Sequence, residues 1–372
     1  MKIQRHSLAA RAFALAARLS NALLAWPNHV VPPPFRLMQI GSAFWQSRAL
    51  YAAATLDIAT ILGDDGLTVA ALAQTAKADP RALGRLLRML AAIGVFAQTA
   101  PGIFRNNKLS HALRSDRPGN VRAIVMMHNS PEMSRPWFEQ LEAGIRLGEV
   151  PFERTHGTPF FDYMDAHPQF DGLFSEAMGA VDALAGDSYA WQVDWRRFDR
   201  VIDVGGSKGA KAVTLLRRHP HLKALVVDRE PTIRGAAEYW MERGAGDCLS
   251  RLGFEPGDVF GSVPTAANGR DAYLLSAVLH CFDDDTAIRA LEVVARAAAP
   301  AQATIILLEL VLPDSGADLT AAAIDMQMLM ATRGGERTRA EWEHVFAGAG
   351  VRLAETVHLA SFAKALVLKP VV

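Results

Sequence analysis

The chain has 372 residues, half of them hydrophobic and 21% charged, with 39 basic residues balanced by 39 acidic ones. That length exceeds one ordinary core of about 250 to 300 residues and predicts two domains of a soluble globular protein, while the zero net charge offers no whole-molecule field for nucleic acid or an anionic membrane. No uninterrupted apolar run of about 18 residues is present to span a bilayer, and the two cysteines, Cys248 and Cys281, match neither a CxxC metal motif nor a disulfide framework, so a reducing, cytoplasmic compartment is expected.

Residues 1–37 stand apart. The segment MKIQRHSLAARAFALAARLSNALLAW carries Lys2, Arg5, Arg11 and Arg18, and the first acidic residue of the chain is Asp57. Such a basic, Ala-rich start suits a targeting peptide, a membrane-surface helix, or a helical extension acting as a dimer arm. Arg11 and Arg18 interrupt the apolar stretch that a secretory signal needs, which favours the helical extension. Pro32-Pro33-Pro34 then forms a stiff break before the first domain.

Residues 38–187 read as mostly helical. In TVAALAQTAKADPRALGRLLRMLAAIGVF apolar residues recur at three and four spacing, with a turn at Asp79-Pro80, and FAQTAPGIFRNN places a Pro-Gly turn between two short strands. Helix, turn, helix and hairpin predict a winged helix. Arg81, Arg85 and Arg88 share one face, which raises DNA binding as an alternative function, but no Asn, Gln or Ser stands beside them to read base edges, and no nucleic-acid partner is expected. Farther on, Met126, Met127, Trp137, Phe138, Phe160, Phe161, Phe170, Phe174 and Met178 suit a core, and also suit a pocket for a flat ligand.

Residues 188–372 change period. RVIDVGG, KALVVD, DAYLLSAVLH and ATIILLELVLP are continuous apolar runs expected of strands buried on both faces, and helical segments separate them. This alternation predicts an α/β unit with a parallel sheet and right-handed crossovers. RLAETVHLASFAKALVLKPV is expected to close it as an antiparallel hairpin at the sheet edge.

Two acids lie at the ends of two of these runs, and a third follows in EPGDVFGSVP. In VIDVGGSKGA, Asp203 ends a strand, Gly205 and Gly206 permit positive φ and close backbone approach, and Gly209 lets the next helix pack near the sheet. The spacing fits neither a dinucleotide GxGxxG nor a phosphate loop. Asp228 ends KALVVD, where α/β nucleotide folds bind ribose hydroxyls. Asp258 precedes Val259 and Phe260, an acceptor beside apolar groups that suits an adenine. His280 in VLHCFDDD reads as a metal ligand, a general base, or a packed strand-end residue. Asp283, Asp284 and Asp285 suit the N-terminus of the following helix and need no metal. Glu309, inside IILLELVLP, would be costly to bury without a partner such as His280.

Taken in order, VIDVGGSKG, LVVD, GDVFGSVP, YLLSAVLHCFDDD, LLELVLPD and DMQMLMATRGGERTRAEWEHVFAGAGV resemble the S-adenosylmethionine-dependent small-molecule O-methyltransferases of the caffeate, acetylserotonin and bacterial polyketide and phenazine type. The resemblance runs from about Met38 to the C-terminus. It implies a Rossmann-like methyltransferase sheet behind an N-terminal, mostly helical winged-helix dimerisation domain, a homodimer, and S-adenosyl-L-methionine as cofactor. On the matching positions it places Asp203, Gly205, Gly206 and Gly209 at the methionine part of the cofactor, Asp228 at its ribose, and Asp258, Val259 and Phe260 at its adenine. His280 matches the catalytic base, and Glu309 and Glu336 match the acids that orient it.

Three positions depart from the family pattern. Ser207 replaces a third glycine, Ser276 replaces a lysine that would touch cofactor, and His280-Cys281-Phe282 replaces His-Asp-Trp. Ser276 stays among the expected cofactor contacts, and Met127, Phe161, Met178, Cys281 and Met328 are the expected acceptor contacts. The expectation is methyl transfer to a hydroxyl of a small aromatic molecule, with no metal and no membrane partner. C-methylation, hydroxylation or another reaction on the same fold and cofactor stays open.

Overall fold

A computed structural model describes residues 3–316 and 318–371, the side chains of 3–6 excepted. Of the basic start, Lys2 lies outside the described residues. The chain divides into two compact units, Met1–Asn21 with Ala185–Val372, and Ala22–Leu184.

In the Ala22–Leu184 unit, helix Pro80–Ala92 starts where its cap dictates: Asp79 accepts the N–H of Ala82 at 2.7 Å and Pro80 opens the first turn. Leu83, Leu87 and Leu90 bury one face and Arg81, Arg85 and Arg88 stay exposed on the other. Three short strands close the wing in the order Leu67–Thr68, Ile103–Asn106, Phe96–Ala100. Ile58, Leu62, Leu72, Phe96 and Phe104 form its core. The helices after the wing carry a ring cluster in which Phe160 meets Phe152, Phe161, Phe170 and Phe174 edge-on.

The other unit is built on a sheet of nine strands among the described residues. These are β1 (Ile3–His6), β2 (Arg200–Val204), β3 (Lys223–Asp228), β4 (Leu252–Pro256), β5 (Asp271–Ser276), β6 (Thr304–Leu312), β7 (Arg337–Thr338), β8 (Val351–His358) and β9 (Ala363–Pro370). Their order is β1-β8-β9-β6-β5-β2-β3-β4, with β7 pairing the end of β6. Pairing is parallel except where β9 meets β6 and β8. Leu274, Leu275, Ile305, Ile306 and Leu307 are fully buried, each worth about 1.5 to 3 kcal/mol of burial, which explains why β5 and β6 read as unbroken apolar runs.

Four expectations change. The C-terminal hairpin does not form the sheet edge, because β1 adds in parallel to β8; the N-terminal segment thus opens with a strand before its helix, Leu8–Ala25. That helix docks by Ala10, by Phe13 on the ring of Phe362 and by Asn21 on Asp318. Leu8–Val30 is, by length and composition, long enough and apolar enough to cross a membrane, as a signal sequence also would be; two arginines in 23 residues do not remove its average apolarity. β4 has no counterpart among the expected strands, since Gly253 and Glu255 break the apolar run that marks the central ones.

Candidate active site

Successive strands step outward from β2 to β3 and β4, and the chain then returns to place β5 on the other side of β2. In open α/β sheets the crevice beyond the strand ends at such a reversal is where ligands bind. The glycine turn comes after β2 and the His280 segment after β5, so both expected site elements flank it.

Gly206 is required by close approach: a Cβ there would fall 2.5 Å from Cγ of the buried Asp203 carboxylate. Its φ is not positive, contrary to the reading from sequence; the left-handed residues are Gly205, Ser207 and Gly209. Ser207 thus keeps the conformation a glycine would take, at φ 53°, and its N–H donates to Asp228 Oδ2 at 2.7 Å. A Cβ at Gly209 would meet Val226 at 2.8 Å, so that glycine lets the helix Ala210–Arg218 lie close to β3. Asp228 ends β3 half-buried and also accepts the N–H of Arg229 at 2.7 Å. Asp258, exposed, caps its own turn by accepting the N–H of Phe260 at 2.9 Å. The Phe260 ring meets Phe282 edge-on at 5.0 Å, and Val259 packs against the core. A Cβ on Gly205 would fall 2.8 Å from Val278 Cγ2. Segments 203–209, 258–260 and 278–282 therefore converge, and a turn with no room for side chains beside a strand-end carboxylate fits a nucleoside-bearing cofactor.

His280 does not end a strand. β5 stops at Ser276, Ala277 turns left-handed at φ 52°, and Leu279–Cys281 form a single 3-10 turn that carries the imidazole. Glu309 explains the turn. Its Oε1 accepts the N–H groups of Val278 at 3.2 Å and Leu279 at 3.1 Å, so its burial is compensated chiefly by backbone. The carboxylate on the ring is Glu336 instead, whose Oε1 lies 2.7 Å from His280 Nδ1, against 3.9 Å for Glu309 Oε2. Two residues unforeseen from sequence hold Glu336 in place. Asp325 Oδ1 accepts its backbone N–H at 2.9 Å, and Gly334 lies so close to the backbone of 280–282 that a Cβ there would be 2.5 Å from Phe282 N. The RGGER run carried the signal, but the contacts span 56 residues of sequence.

The electrostatics arise from burial. Desolvation opposes the imidazolium of His280, but the charge of Glu309, then Cys281 and Glu336, outweigh it and hold the ring's pKa well above its ordinary 6.5. Desolvation also raises Glu309 to about 7, against the pull of His280. His280, Glu309 and Glu336 each offer one ligand atom, all within 4.8 Å of one another, a set that would fit a small cation. The three aspartates lie elsewhere: Asp283 caps helix Asp284–Ala298 through the N–H of Thr286 at 2.8 Å, and Asp284 binds Arg337.

Ser276 is the last residue of β5, and Cys281 adjoins His280, half-buried. Met328 is half-buried on helix Leu319–Ala331. In the other unit, Met127 is buried on helix Arg122–Asn129, while Phe161 and Met178 are half-buried on helices Phe160–Ala166 and Pro168–Ala185.

The chain is similar to known proteins over most of its length. Residues 138–352 match the O-methyltransferase domain family and residues 38–116 the O-methyltransferase dimerisation domain. A phenazine O-methyltransferase of Lysobacter antibioticus is 33% identical over 341 residues, 92% of this chain and 97% of that protein. An 8-amino-8-demethylriboflavin N,N-dimethyltransferase of Streptomyces davaonensis is 29% identical over 319 residues, 85% of this chain and 89% of that one. The crystal structure of an O-methyltransferase from neocarzinostatin biosynthesis, in complex with S-adenosylmethionine and 2-hydroxy-5-methyl naphthoic acid, is similar with a TM-score of 0.74 at 27% identity, over 88% of this chain and 96% of that one.

Proposed function

The chain belongs to the S-adenosylmethionine-dependent O-methyltransferase family acting on aromatic secondary metabolites, and from that premise we propose that it methylates a hydroxyl of a small aromatic molecule, with His280 as general base. The observation that carries this reading is the 2.7 Å contact between His280 Nδ1 and Glu336, on a turn packed against the glycine turn.

Asp203, Gly205, Gly206 and Gly209 would hold the methionine part of the cofactor, Asp228 its ribose, and Asp258, Val259 and Phe260 its adenine. When bound, the cofactor supplies an electrophilic methyl group on a sulfonium. Glu336 accepts Nδ1–H and fixes the tautomer, which leaves Nε2 to take the proton of the acceptor hydroxyl as its oxygen becomes the nucleophile. Glu309 holds the turn by its backbone and favours the imidazolium that forms. Because the ring nitrogen faces a carboxylate, the base needs no metal to set its orientation. Cys281 and Met328, in the unit that carries His280, are proposed to contact the acceptor.

We assign the homodimer to the dimerisation domain at 38–116. Exposed Met38, Ile40, Phe44 and Trp45 give its first helices an apolar face.

The test supplies labelled S-adenosylmethionine with a hydroxyphenazine or 2-hydroxy-5-methylnaphthoic acid. His280→Ala is expected to lower turnover by about 10²- to 10⁴-fold while S-adenosylhomocysteine binding stays within about twofold. Unchanged turnover would reject the base; labelled product from amine acceptors but from no hydroxyl would move the chain to the N-methylating branch.

A further inference from the structure

We propose that Arg337 is a positioning residue for the base, acting on the reaction only through the turn that carries His280; this rests on His280 being the general base. Arg337 is buried to 4% exposure. Its Nη1 donates to the carbonyl of Leu279 at 3.1 Å, its Nη2 to that of Phe282 at 2.6 Å, and its Nε to Asp284 Oδ1 at 2.7 Å. The guanidinium also lies over the ring of Trp342, 5.1 Å from the centroid.

The turn needs such support. It is one 3-10 turn entered through Ala277 in the left-handed region, a conformation costly for a residue with a Cβ. An isolated turn leaves N–H groups at its start and carbonyls at its end without intrahelical partners. Glu309 takes the N–H groups of Val278 and Leu279, while Arg337 takes the carbonyl of Phe282 and shares that of Leu279, which also accepts the N–H of Phe282 at 3.2 Å. An anion thus holds the positive end and a cation the negative end, the sense that backbone dipoles favour.

Both clamps share one support. β7 lays Arg337 opposite Val311 of β6, the strand that carries Glu309. Residue 336, its neighbour in sequence, holds the imidazole itself. One dipeptide therefore fixes the ring and the backbone beneath it. Lysine lacks the planar fork needed to reach two carbonyls and a carboxylate together, so Arg337→Lys should not rescue.

The test is a double-mutant cycle on the full chain, with labelled S-adenosylmethionine and 2-hydroxy-5-methylnaphthoic acid or a hydroxyphenazine as acceptor. Arg337→Met is expected to lower kcat by about 10- to 100-fold, since misplacement near 1 Å costs about 10². The KM for S-adenosylmethionine should stay within about twofold. In a His280→Ala background the same change should cost less than about twofold, because no base is left to position. Acceptor-independent support comes from proton NMR: the downfield Nδ1–H resonance of His280, identified by its loss in His280→Ala, should disappear in Arg337→Met.

Equal loss in the two backgrounds, or an unchanged rate and resonance in Arg337→Met, would overturn the positioning role while leaving the base intact. Full turnover by His280→Ala would overturn both. If Arg337→Met does not fold, Asp284→Asn removes only the Nε anchor and should slow transfer several-fold; a wild-type rate there would overturn the proposal.

Discussion

Replacing Gly334 by alanine tests whether the base is held by geometry. A methyl group built on Gly334 falls 2.5 Å from the backbone nitrogen of Phe282, and closer still to the carbonyl oxygen of His280 and the carbonyl carbon of Cys281. Real Cβ atoms keep about 3.0 Å or more from such atoms, so the turn or the Gly334 loop must move by more than about 0.5 Å. All three obstacles are backbone, and the turn is clamped at both ends by Glu309 and Arg337, so no flexible side chain absorbs the shift. Catalytic groups tolerate displacements of only about 0.5 Å, and about 1 Å costs some 10²-fold. Gly334→Ala is therefore expected to lower kcat for methyl transfer by about 10- to 100-fold. Calorimetric affinity for S-adenosylhomocysteine should stay within about twofold, because the glycine turn after β2 is untouched. The assay is initial-rate transfer from labelled S-adenosylmethionine, alongside thermal unfolding to confirm a folded protein. A folded Gly334→Ala protein with a kcat within twofold of wild type would refute the reasoning.

Two further outcomes come from the electrostatics. His280 sits well above 6.5 and Glu309 is held at about 7, so each binds its proton more tightly folded than unfolded. Their stabilisation is accordingly present at low pH and lost as pH rises, from about 4.5 through 7 for Glu309 and from 6.5 through the raised value for His280. Urea midpoints should fall across this window in the wild type and fall less in His280→Ala; a rising midpoint would contradict the assignment. The rate should climb with pH as His280 becomes neutral, and Glu309→Gln, which keeps an acceptor for the turn but removes a charge that favours the imidazolium, should move that limb to lower pH. An alkaline shift would show that the two groups are not coupled as the 3.9 Å approach implies. Asp228→Asn should weaken S-adenosylhomocysteine binding by about tenfold or more, as losing charge-assisted hydrogen bonds of about 1.5 to 3 kcal/mol requires; unchanged calorimetric affinity would remove Asp228 from the ribose site.

The parallel sheet, the winged helix, the glycine turn and the strand-end Asp228 were all legible, because each leaves a local signature: an apolar run, a capped amphipathic helix, a glycine cluster at a strand end. β4 and β1 were not, since edge strands need little apolar sequence and take their partners from elsewhere in the chain. At the site, the sequence by itself marked His280, Glu309 and Glu336, which the structure brings together, since a histidine after a buried strand and a glutamate inside an apolar run are costly unless partnered. It could not divide the labour among them. Glu309 lies in the more conspicuous apolar run, yet it binds backbone, while Glu336, from a polar loop, binds the ring. Only the tertiary structure decided that, because hydrogen bonds hold over tenths of an ångström. Which acid comes within 2.7 Å of Nδ1 depends on how β7 docks on β6 and how closely Gly334 lets the two backbones approach.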